Sequence, residues 1–92
     1  MARQINEQPD PELVAISALA FIAEDPERLE PFLRLTGMRP ENIRTGAQHP
    51  DFLNGVMQHV VGWEPWLLAF AAHAEMTPAD VVRAAEKLAE RT

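Results

Sequence analysis

Apolar residues in this chain arrive in blocks, and a proline opens almost every block. Six of the eight prolines, Pro11, Pro26, Pro40, Pro50, Pro65 and Pro78, stand where a helix can begin. Proline suits the first helical turn because its missing N–H has no intrahelical partner there. Asp10, Asp25 and Thr77 precede three of them as capping residues, and Thr77-Pro-Ala-Asp80 resembles a capping box. Glu12, Glu27, Glu41 and Asp51 place negative charge in first turns, where the helix dipole favours it.

The spacing between prolines predicts six helices and no strands. Helix 1, about 11–24, is apolar almost all round and is expected at the centre. Helix 2, about 26–36, carries Leu29, Phe32, Leu33 and Leu35 and ends at Thr36-Gly37. Pro31 conflicts with it, implying either a separate short turn over 26–30 or a kink. Helix 3, about 40–48, is short, with Ile43 and Ala47 one turn apart. Helix 4, about 50–61, puts Leu53, Val56, Met57, Val60 and Val61 on one face and stops at Gly62. Helix 5, about 64–75, contains the unbroken apolar run 66–72 and is also expected at the centre. Helix 6, about 78–91, turns Val81, Val82, Ala85, Leu88 and Ala89 inward and its charges outward. The expected fold is therefore all-α: one compact bundle of five or six short helices. Helices 1 and 5 form its centre, with 2, 4 and 6 around them. Residues 1–10 form a flexible tail and 11–92 the single domain.

The ordered set of residues carries a family resemblance. Leu35-Thr-Gly-Met-Arg-Pro-Glu-Asn-Ile-Arg44 is followed by Pro50-Asp-Phe-Leu-Asn-Gly-Val-Met57, Glu64-Pro-Trp-Leu-Leu-Ala-Phe-Ala71 and Met76-Thr-Pro78. Leu13–Ile22 and Asp25-Pro-Glu-Arg-Leu29 fit the same pattern. Over residues 11 to 90 the chain resembles the small alphaproteobacterial proteins grouped as domain of unknown function 3572. The resemblance implies a compact, all-helical, stand-alone bacterial protein. It implies no reaction.

Composition narrows the function classes. The 92 residues include no cysteine and no tyrosine, and the formal charge is −6. Ser17 is the only serine, read as buried within helix 1, and Lys87 is the only lysine. No thiolate site, nucleophile elbow or clustered-glycine phosphate loop is available. His49, His59 and His73 lie ten and fourteen residues apart, not at the four-residue spacing of helical zinc ligands. The reading is a non-enzyme with no catalytic residue, no cofactor, no metal and no evident small-molecule substrate. The longest nearly apolar run, Leu13–Ala23, falls short of the about 20 residues of a membrane span. Behind Arg3 there is no apolar stretch of a secretory signal, so a cytoplasmic protein is expected.

Two patches invite an interaction reading. Trp63, Trp66 and Met57 form a candidate protein interface, since tryptophan and methionine are enriched at binding surfaces. Their alternative place is the edge of the core. Arg28, Arg34, Arg39 and Arg44 form a candidate basic face; with Glu27, Glu30 and Glu41 they give residues 26–48 a net of +1, leaving −7 elsewhere. Its alternative is a solvated surface of local ion pairs. The expected function is a protein-interaction or regulatory module acting on an unknown protein partner or on itself. The second reading, a nucleic-acid-associated regulator using Arg28–Arg44, is opposed by the acidic total and the scarcity of lysine.

Overall fold

A computed structural model describes residues 10–91. Its elements are α1 (Pro11–Ala23), α2 (Pro26–Thr36), a 3-10 turn (Pro40–Asn42) running into α3 (Ile43–Gly46), α4 (Pro50–Val61), α5 (Glu64–Ala74) and α6 (Pro78–Arg91). There is no strand among the described residues. The expected tail over 1–10 lies outside the described residues except for Asp10. That residue is part of the fold: its carboxylate accepts the Glu12 N–H at 2.9 Å and lies 3.7 Å from the Arg91 guanidinium.

The other caps follow the sequence. Asp25 accepts from the Glu27 N–H at 3.0 Å, and Thr77 Oγ1 from the Asp80 N–H at 3.0 Å. Gly37 ends α2 in the left-handed region, at φ 73°, where glycine carries no side-chain penalty. Gly62 ends α4 where its position after the apolar stripe predicts. It stays right-handed at φ −76°, and the chain leaves the helix at the extended Trp63 (φ −136°). The left-handed cap appears instead at Glu75, φ 59°, after α5. Pro31 does not split α2, which runs unbroken through it. Helix 3 is weaker than its expected span: a 3-10 turn followed by four α-helical residues.

The centre is not where apolarity alone places it. α1, α4 and α6 pack mutually, and α5 lies outside them against α4, α6 and α1. α4 contributes Leu53, Val56, Met57 and Val60, an i, i+3, i+4, i+7 stripe buried along its length. α6 contributes Val81, Ala84, Ala85 and Leu88; Val82 is half-buried and Ala89 exposed, so Ala84 takes the inward place expected of them. α5 buries only Phe70 and Ala71. Ala69 and Ala72 cost little when left in water, and Leu68 is left 48% exposed beside them, so the apolar run does not by itself force the helix inward. α1 is central on one side only: Leu13, Ile16, Ser17, Ala20 and Ala23 face out. Ser17, expected to be buried, is therefore exposed.

Candidate functional site

Two helices that pack on the same core leave a groove between them. α2 packs on α1, while α5 packs on α4 and α6. The space between them has a volume of about 620 Å³ and is bounded by Pro31 and Leu35 from α2, Trp66 and Ala69 from α5, His59 from α4, and Trp63. Its polar end carries Asp25, Glu27 and Arg28.

The aromatic side chains form a ladder from the core to this surface. Phe52 meets the buried Phe32 at 6.4 Å between ring centroids, and Phe32 meets His59 edge-on at 5.1 Å. His59 then meets Trp66 edge-on at 4.8 Å, and Trp66 meets Trp63 at 6.3 Å. Edge-to-face and tilted pairs of this kind add about 0.5–1.5 kcal/mol each beyond the area they bury. Trp66 is thereby fixed and half-buried. Trp63 closes the ladder 58% exposed, and Leu35 across the groove is 75% exposed. Burial under Trp66 and Phe32 lowers the pKa of His59 below its ordinary value, because desolvation disfavours the imidazolium. The groove floor is thus uncharged at neutral pH.

Among the described residues Arg28 is the one cation lining the groove, and its guanidinium is already engaged. Nε donates to the Phe21 carbonyl at 3.0 Å, and the guanidinium carbon lies 3.8 Å from the Phe21 ring centroid. Its terminal nitrogens approach Glu24 at 3.6 Å and Asp25 at 3.3 Å. α1 has no basic residue in its own last turn. Arg28 supplies that positive charge from the next helix, where the dipole of α1 favours it. Its role is to latch α2 to the end of α1.

The sequence-derived patches are sorted by this geometry. Trp63 and Trp66 share the groove, but Met57 does not: it is 0% exposed, at the centre of the α1–α4–α6 core. Its place in the α4 stripe decides this, because the same spacing that brought it near Trp63 in sequence turns it inward. The four arginines do not form one face. Arg28 lines the aromatic groove, whereas Arg44 lines a separate groove with Ile16, Ala20 and Ile43. Arg34 pairs with Glu30 at 3.8 Å and Arg39 with Glu41 at 3.0 Å. Leu35, Pro31 and His59 were missed as site residues. Leu35 gave one usable signal: it lies roughly 110° round α2 from the Leu29–Phe32–Leu33 stripe, too far to share its burial.

Among the described residues no group of three or more His, Cys, Asp or Glu is placed to hold a metal ion. No helix of the described residues is long and apolar enough to cross a membrane. A family model described as a protein of unknown function (DUF3572) matches residues 8–91. No curated protein and no solved structure matches the chain.

Proposed function

The chain belongs to the DUF3572 family of proteins of unknown function, and from that footing we propose that it is a non-catalytic protein-interaction module that binds through the α2–α5 groove. One observation carries this reading. Trp63 and Leu35 are the two most exposed bulky side chains bordering a single concave apolar surface, and Trp63 is held there by a ladder of ring contacts. Large exposed apolar groups gathered in one concavity mark binding surfaces, whereas scattered ones are ordinary. Tryptophan on a fixed scaffold is also a low-entropy anchor for a partner.

The absence of catalysis rests on composition. A chain with no cysteine, no tyrosine, one serine and one lysine is poor in hydroxyl, thiol and amine nucleophiles, leaving its carboxylates and three histidines as the groups that could act. Ser17 has no hydrogen-bonded histidine among the described residues, and the groove's one histidine is wedged between two rings.

The test compares affinity capture by the wild-type chain and by Trp63→Ala with Leu35→Ser, both checked for native helicity. A partner retained by the first and lost by the second supports the reading. Equal capture by both removes the groove from the account.

A further inference from the structure

We infer that the occupant of the α2–α5 groove is a cationic amphipathic segment of another protein, whose apolar face fills the groove and whose lysine or arginine side chains meet its acidic end. This rests on the groove being a protein-binding surface and goes on to the chemistry of the partner.

The charge at the groove's polar end is one-sided. Asp25 and Glu27 line it, and Glu24 reaches the guanidinium of Arg28, the one cation lining the groove among the described residues. That guanidinium is turned onto the Phe21 ring and carbonyl and is not free to greet a ligand anion. Glu27 has no cation partner among the described residues. Arg34, one residue before Leu35, is drawn towards Glu30. On the same groove the exposed Trp63 presents a ring to which a cation is attracted, worth about 0.5–1 kcal/mol at an exposed site. An apolar side chain with a neighbouring positive charge is therefore matched on both counts, and an acidic segment is opposed.

The shape favours a segment over a small molecule. About 620 Å³ bounded mostly by Leu, Pro, Ala and Trp holds several large side chains. A small-molecule pocket also needs polar groups converging on the ligand. Here Arg28 is committed elsewhere, His59 is enclosed by rings, and the carboxylates of Asp25 and Glu27 are gathered at one end of the groove. An amphipathic helix laid in the groove needs only apolar anchors one turn apart and charges on its flank. A second copy of this chain fits poorly. A two-fold contact sets the same patch on both sides. Such a copy would bring the same acidic-ended patch, whose Arg28 is already engaged, and so would offer Glu27 no free cation from that patch.

Both tryptophans of the chain line the groove, so intrinsic fluorescence reads its occupancy directly. Three synthetic amphipathic helices of about 18 residues, or roughly 27 Å, share one Leu/Phe face and carry lysine, glutamine or glutamate on the other. With the wild-type chain at low ionic strength, the lysine peptide is expected to shift the emission to the blue with saturation. It should bind at least about tenfold more tightly than the glutamate peptide, with the gap closing as salt is added. Glu27→Gln is expected to weaken the lysine peptide by about threefold and leave the glutamine peptide unchanged. Trp63→Ala, followed by calorimetry, is expected to weaken both by about tenfold or more. If the glutamine peptide binds as well as the lysine peptide, the cationic partner is overturned while the groove stands. If no peptide binds, or if Trp63→Ala binds the lysine peptide as the wild type does, both fall. A concentration-dependent dimer by light scattering that blue-shifts the emission without peptide would make a second copy the occupant and overturn the inference.

Discussion

Two residues that look alike in sequence part company in the structure. Met57 and Trp63 are both large and apolar and lie six positions apart, yet one is 0% and the other 58% exposed. Met57→Ala is expected to cost about 2–5 kcal/mol of stability, the range for emptying a buried site of this size. Trp63→Ala is expected to cost about 1 kcal/mol or less, chiefly its ring contact with Trp66. Chemical denaturation of the two variants checks the contrast, and a loss above about 3 kcal/mol at Trp63 would place it in the core. His59 makes a second prediction. Its pKa is lowered in the folded chain, so the folded state binds fewer protons than the unfolded state below the ordinary histidine value of 6.5. Its contribution to stability is fully present above that value and is lost as pH falls through the folded pKa. Thermal melts taken from about pH 7.5 down to about pH 5.5 should show the loss, and His59→Phe, which keeps a ring between Phe32 and Trp66, should flatten it. An unchanged slope in that variant would assign the pH dependence to other groups.

At the scale of elements, the prolines and caps explain why six short segments form helices at all. Isolated helices of 11 to 14 residues are marginal in water, so each of the five long helices depends on the face it buries, and α1, α2 and α6 also on a side-chain cap. α5 ends on the one non-glycine residue with positive φ among the described residues. Its C-cap, Glu75, takes a left-handed conformation (φ 59°, ψ 40°) that costs an ordinary residue roughly 1–2 kcal/mol more than glycine. Glu75→Gly is accordingly expected to raise stability by about 0.5–1 kcal/mol, since the added freedom of the unfolded chain offsets part of the relief. A lower melting temperature in that variant would show that the Glu75 side chain supplies more than the backbone strain removes. In α2 the cost is of another kind. Pro31 removes one helical hydrogen bond, but its ring lines the groove, and α2 continues because Phe32 is buried and Gly37 closes the end.

On the scale of the whole molecule, one core joins every long helix: buried residues come from α1, α2, α4, α5 and α6. No helix can leave without uncovering the others. The chain should therefore unfold in one transition, with circular dichroism at 222 nm and tryptophan emission giving the same midpoint. The two probes sample different places, the backbone throughout and the groove alone. An earlier fluorescence transition would mean that α5 detaches first and that the groove can open without global unfolding.

Local chemistry written in the sequence determined the helices: proline at first turns, Asp10, Asp25 and Thr77 as caps, and the 3.6-residue spacing of apolar positions. α4 was legible from end to end because its stripe at 53, 56, 57 and 60 is unambiguous. Which helices lie at the centre was not legible. Apolarity along a helix says how much surface it could bury, not which neighbours will cover it: α5 leaves Leu68 exposed while Ala15, Ala18 and Ala85 are buried in the central helices. Nor did the sequence place Leu35, 28 positions before Trp63, on the same groove, or turn Arg28 back onto Phe21. Those are distances between elements. Only the packing of α2 and α5 on a shared core set them, and the surface that carries the proposed function exists because those two helices meet the core but leave a space between each other.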